Sequence, residues 1–154
     1  MTAEYLFGGY CTYGDYEDLV AAGIDIAGKI VLCKYGGNMR GLKVLRAQEL
    51  GAVGIVMYTD PGDDGEMTEL NGHKAYPNGP ARNRYSVQRG SVGFLSLGSG
   101  DPTTPGYASR RGVPRQDPQK FIPSIPSLPI SYAEGGGFDT VVIERLEERQ
   151  CVGI

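Results

Sequence analysis

Residues 28–61 read GKIVLCKYGGNMRGLKVLRAQELGAVGIVMYTDP, and this stretch decides the fold. KIVLCK at 29–34 is a short apolar, β-branched run of strand length. The next seven residues, 35–41, carry three glycines, which breaks regular structure. Good helix formers fill 42–50, and Gly51 follows as a left-handed C-cap. Leu42, Val44, Leu45, Ala47 and Leu50 do not fall on one stripe at a 3.6-residue period, so the capping glycine and the flanking strands carry the helix assignment. VGIVMY at 53–58 is a second apolar run, ended by Asp60-Pro61-Gly62. Two buried strands joined by a short helix predict a parallel β-α-β unit whose helix covers the sheet.

Working outward, 154 residues suit one domain, 1–154, large enough for a real core. Twenty-four glycines and ten prolines predict many turns and short strands. The net charge is −3 and the cations are scattered, which excludes the concentrated basic patch of a nucleic-acid surface. No run reaches the roughly 20 apolar residues of a membrane span. MTAEYLFGGY lacks the basic start and long apolar stretch of a signal peptide. Cys11, Cys33 and Cys151 show no metal spacing, and both a Cys11–Cys33 and a Cys11–Cys151 bridge stay open.

In chain order, residues 2–10 read as a first strand. A short helix follows from Asp15 as cap through Ala22, with Asp18 at the capping-box position and Gly23 closing it. Residues 60–84 form a long polar segment, of the kind that is usually functional or mobile. VGFLSL at 92–97 reads as another strand, and 98–111 as a loop of turn residues. IPSIPSLPIS at 122–131 alternates proline with apolar residues, which confines it to extended segments or a sheet edge. Residues 138–149 predict a terminal helix with Phe138, Val142 and Leu146 on one face, and 134–137 reads as a linker.

The residues argue against several chemistries. Gly36 and Gly41 have the glycine spacing of a P-loop, but Leu42 and Lys43 stand where its lysine and hydroxyl belong, so nucleotide binding is not expected. The acidic loop at Asp60, Asp63, Asp64, Glu66 and Glu69 fails the EF-hand spacing, because the twelfth position is Asn71. His73 is the single histidine, which leaves no protein zinc site and no histidine-activated nucleophile. No Gly-x-Ser-x-Gly elbow occurs. Arg40, held in a glycine turn, can instead present its guanidinium fork to a carboxylate. The residues describe a non-catalytic α/β module with long surface loops.

Several segments also carry a resemblance. GKIVLCKYG, RGLKVLRAQELGAVGIVMYTDP, AYPNG, VQRG, GDPTTPGY, RRG and IPSIPSLPIS occur in the order found in the protease-associated (PA) domain of the glutamate carboxypeptidase II and transferrin receptor family. The chain resembles that domain over nearly its whole length. The resemblance implies mixed α/β architecture, with barrel-like β-sheets and flanking helices around the central β-α-β unit. It also implies one domain of a longer protein, lying beside a zinc aminopeptidase-like domain that holds the zinc and the catalytic base. The chain itself would then be no enzyme and carry no cofactor. Its implied role is to lid the cavity, contribute to substrate recognition and support dimer contacts. The implied setting is a secretory or vacuolar compartment, behind a single membrane anchor of the longer protein.

Residue by residue, the resemblance makes Arg40 a ligand for a substrate carboxylate. Ser91 stands where the carboxypeptidase has a substrate-binding asparagine, and Gly37 where it has a lysine. Thr104 and Tyr107 match positions that supply calcium ligands at the domain junction, with carboxylates of the peptidase domain completing the set. A second reading is an autonomous module that binds peptide or protein cargo through the 60–84 loop, as in sorting receptors.

Overall fold

The computed structural model describes residues 3–135. The elements are β1 (Tyr5–Phe7), α1 (Tyr13–Ala21), β2 (Ile30–Lys34), α2 (Arg40–Glu49), β3 (Gly54–Tyr58) and β4 (Ser127–Pro129), with 3-10 turns at Pro61–Asp63, Glu69–Asn71 and Pro118–Lys120. The four strands make one sheet in the order β1-β2-β3-β4. Every pairing is parallel, with Phe7 beside Leu32, Leu32 beside Val56, and Val56 beside Leu128. The central β2-α2-β3 unit is the one read from residues 28–61, and the mixed α/β class holds.

Alternation along the strands builds the core. Val31, Cys33, Ile55 and Met57 point to one face, where they meet Val44 and Ala47 of α2 and Tyr16 of α1. The two helices also pack on each other, and α2 packs on β3. On the opposite face, Ile30, Val56 and Leu128 line an apolar groove of about 440 Å³. Gly135 lies against the Tyr58 ring, where a Cβ would sit 2.7 Å from the ring carbon Cγ.

Four sequence expectations shift. The first strand is Tyr5–Phe7 rather than 2–10, because a turn with Gly9 at positive φ, closed by the Cys11 N–H on the Gly8 carbonyl, redirects the chain so that Cys11 meets β2. The α1 cap is Thr12, not Asp15. The Thr12 Oγ1 accepts from the Asp15 N–H, and the Asp15 carboxylate accepts from the Thr12 N–H at 2.8 Å, so Asp15 rather than Asp18 completes the capping box. The 92–97 run is no strand. Its buried anchor is Phe94, the N–H of Phe94 goes to the Phe121 carbonyl, and Leu97 and Gly98 turn back onto the Phe94 carbonyl. Helix α2 begins at Arg40, two residues earlier than the apolar pattern suggests. The proline-rich segment does supply an edge strand, β4. The terminal helix expected over 138–149 lies outside the described residues.

Cys11 and Cys33 form a disulfide with Cα atoms 5.7 Å apart, which ties the β1–α1 loop to β2. The 60–84 loop is held by polar contacts within itself and to Tyr10. Arg82 pairs bidentately with Asp64 at 2.6 and 2.7 Å, and the Tyr10 hydroxyl donates to Asp63 at 2.7 Å.

Candidate functional site

The carboxyl ends of β1 and β2 and the N-terminus of α2 converge on one corner of the molecule. The turn after β2 runs through Gly36 and Gly37, both at positive φ (98° and 73°). Under it lies Lys43, fully buried, whose ammonium donates to the carbonyls of Tyr10 and, at 2.6 Å, Gly36. One side chain thus ties the loop after β1 to the loop after β2. Burial pulls the Lys43 pKa down to about 8, against the opposing pull of Asp15.

The 88–95 segment closes the other side. Gly41, in the first turn of α2, packs so tightly that a Cβ there would lie 2.3 Å from the Gly93 carbonyl oxygen. The Tyr35 hydroxyl donates to the Gln88 carbonyl at 2.8 Å. Burial raises the Tyr35 pKa, and the nearby Arg40 charge partly opposes it. The Arg40 guanidinium lies across the backbone of Gly90, where a Cβ would come within 2.5 Å of its Cζ and Nη2. The Arg40 Nε donates to the Ser91 carbonyl at 3.2 Å. No acceptor among the described residues is bonded to the Arg40 Nη groups, and no carboxylate there pairs with it.

These residues enclose a pocket of about 220 Å³ lined by Tyr35, Asn38, Met39, Arg40, Ser91 and Leu95 among others. The α2 N-cap is Met39, whose side chain caps none of the helix N–H groups, so the positive end of the helix opens on the pocket uncapped. Asn38 Oδ1 is buried without a hydrogen-bond partner among the described residues. The corner therefore presents a cation, a helix N-terminus and an unused acceptor.

The structure brings Arg40 and Ser91 together, but through the Ser91 backbone. The Ser91 hydroxyl accepts from the Gly93 N–H at 3.1 Å. Thr104 and Tyr107 lie elsewhere, on the 98–115 loop, and line no part of this pocket. Thr104 is buried and its Oγ1 has no partner among the described residues. The Tyr107 hydroxyl donates to the Pro114 carbonyl at 2.7 Å, which fixes the side chain on its own loop. Asp101 organises this loop, accepting from Thr103, Ser109 and Arg115, and these bonds hold its pKa well below the usual carboxylate range. Among the described residues no three His, Cys, Asp or Glu side chains cluster as a metal site. Likewise, no helix among them is long and apolar enough to cross a membrane.

Sequence reasoning missed Gly41, Gly90, Asn38 and Lys43. For Gly90 a signal was present in the VQRG motif, but its purpose depends on a contact with Arg40 across the fold.

Residues 4–101 match the model of the PA domain family. A probable glutamate carboxypeptidase of Arthroderma benhamiae (strain ATCC MYA-4681 / CBS 112371) is 56% identical over 103 residues, covering 67% of this chain and 14% of that protein. Vacuolar protein sorting-associated protein 70 of Saccharomyces cerevisiae (strain ATCC 204508 / S288c) is 45% identical over 150 residues, covering 97% of this chain and 18% of that protein. Transferrin receptor protein 2 of Homo sapiens is 33% identical over 134 residues, covering 85% and 15%. The chain spans less than a fifth of the length of these curated relatives.

Proposed function

The chain belongs to the PA domain family, and from that premise we propose that it is a non-catalytic accessory domain whose Arg40 pocket holds the terminal carboxylate of a peptide for a neighbouring peptidase-like domain. The observation that carries this reading is the seating of Arg40. Its Nε is anchored on the Ser91 carbonyl and its face lies on Gly90, so the guanidinium is oriented before any ligand arrives. Such a fork matches a carboxylate bidentately, and the uncapped α2 N-terminus adds favourable potential. The last residue of a peptide also carries an amide N–H, which suits the unused Asn38 Oδ1.

Hydrolysis would come from the neighbour, whose zinc and catalytic base are outside this chain. Calcium fits the Thr104–Tyr107 loop only in part. A hard cation takes oxygen ligands, and the buried, unpartnered Thr104 Oγ1 is one such oxygen. Two residues cannot fill six or more positions, so carboxylates from the neighbour would complete the site and fix the two domains together. The buried Cys11–Cys33 disulfide favours an oxidising compartment, which agrees with a lumenal or vacuolar setting. Homodimerisation of the longer protein is part of the same proposal.

The test is an amide-shift map of the ¹⁵N-labelled chain with an acetylated tripeptide bearing a free carboxylate. Saturable shifts at residues 35–41 and 88–95 that vanish in Arg40→Ala support the reading. Shifts that persist in Arg40→Ala overturn it. A second reading, cargo binding by the 60–84 loop, draws on the exposed Met67, Leu70 and Tyr76 there. It predicts shifts confined to that loop.

A further inference from the structure

Resting on the carboxylate reading of the Arg40 pocket, we infer that the preferred ligand is a terminal carboxylate whose own side chain is apolar and uncharged. Arg40 is the single cation among the residues lining the pocket. Its Nε is already used on the Ser91 carbonyl, so one guanidinium edge remains, and that edge satisfies one carboxylate. A second carboxylate finds no second cation. The turn facing Arg40 cannot supply one. At Gly37 φ is +73° and a Cβ would lie 2.9 Å from Thr12 Cγ2, while at Gly36 φ is +98° and a Cβ would lie 3.3 Å from the Tyr10 ring. The Tyr35 O–H is donated to the Gln88 carbonyl, and the Ser91 Oγ accepts from the Gly93 N–H while keeping its own proton, so a second carboxylate meets neutral donors at the rim and no cation.

The rim does offer apolar surface. Met39 and Leu95 border the pocket and are 51% and 47% exposed. Ser96 Oγ donates to the Met39 sulfur at 3.7 Å and helps hold that side chain in place. A leucine-like side chain beside the bound carboxylate would cover both. A glutamate-like side chain would lose part of its hydration there without a second cation to compensate. Covering roughly 40 Å² of apolar surface favours the apolar ligand by about fivefold.

The experiment titrates the labelled 154-residue chain with N-acetylleucine, N-acetylglutamate and N-acetylleucinamide, reading shifts at residues 39–41 and 90–95. The expected result is about fivefold tighter binding of N-acetylleucine than of N-acetylglutamate, with no saturation by the amide. A Leu95→Ser variant should bring the two carboxylates close to parity. N-acetylglutamate binding as tightly or more tightly overturns this inference and leaves the carboxylate reading standing. No saturable shift from either carboxylate overturns both.

Discussion

Replacing Gly41 by alanine sets two effects of opposite sign against each other. Gly41 lies in α2, where alanine is the better helix former by up to about 1 kcal/mol. No positive φ excludes a side chain there. Helix propensity alone therefore predicts stabilisation. The tertiary contact predicts the reverse, because the new Cβ would meet the Gly93 carbonyl oxygen at 2.3 Å, the Gly93 carbonyl carbon at 3.0 Å and the Val92 carbonyl oxygen at 3.1 Å. All three are backbone atoms, so relief requires moving the 92–93 segment by about 1 Å, the shortfall from ordinary contact. That segment is pinned by the buried Phe94 and its bond to Phe121, and by the Tyr35–Gln88 and Arg40–Ser91 bonds. Overpacking of this kind costs typically about 1–3 kcal/mol, with rigid neighbours at the upper end. The net expectation is a loss of about 1–2 kcal/mol, read as a lower urea midpoint with an unchanged slope. An alanine variant as stable as the wild type, or more stable, refutes the close docking of 88–95 on α2.

Gly90→Ala should behave differently, because the atoms it meets are the movable end of Arg40. Stability should change by less than about 1 kcal/mol while carboxylate affinity falls about tenfold through loss of the Arg40–Ser91 bond, measured by paired denaturation and titration. Lys43→Met leaves the Tyr10 and Gly36 carbonyls without their donor, and urea unfolding should show a loss of about 2–4 kcal/mol at pH 7. The same lysine sets a pH dependence. Its folded pKa of about 8 lies below the unfolded 10.5, so between these values the unfolded chain holds the extra proton and stability rises with pH. The gap between wild type and Lys43→Met should widen by about 2 kcal/mol in total between pH 8 and 10, and a constant gap contradicts the burial of that charge. Reducing Cys11–Cys33, separated by 22 positions, should cost about 3 kcal/mol in urea unfolding, and a midpoint indifferent to reductant rules out that bridge.

The parts of the fold that were legible in the sequence are those written in local chemistry. The β2 and β3 runs are continuous and apolar because the sheet buries them, and Gly51 marks the end of α2 by its positive φ. The buried face of α2 was not legible, since Gly41 and Lys43 occupy it together with Val44 and Ala47. A glycine and a lysine read as turn and surface until the Gly93 backbone and two loop carbonyls are placed against them. The 92–97 run misleads for a related reason. It is apolar enough for a strand, yet Leu95 and Leu97 are exposed, and only Phe94 is fully buried while Val92 packs half-buried against the core. At the candidate site, Arg40 could be singled out from its glycine turn. That its partner is the main chain of Ser91, and its seat Gly90, depends on residues about fifty positions away, which no local pattern encodes.

The central claim is that Arg40 receives a terminal carboxylate, and a co-crystal structure of the chain with N-acetylleucine tests it most directly. The account predicts both carboxylate oxygens within about 2.7–2.9 Å of the Arg40 Nη atoms, with Nε still on the Ser91 carbonyl and the ligand amide facing Asn38. A carboxylate bound elsewhere, or an Arg40 that leaves Gly90 to meet it, would contradict the account.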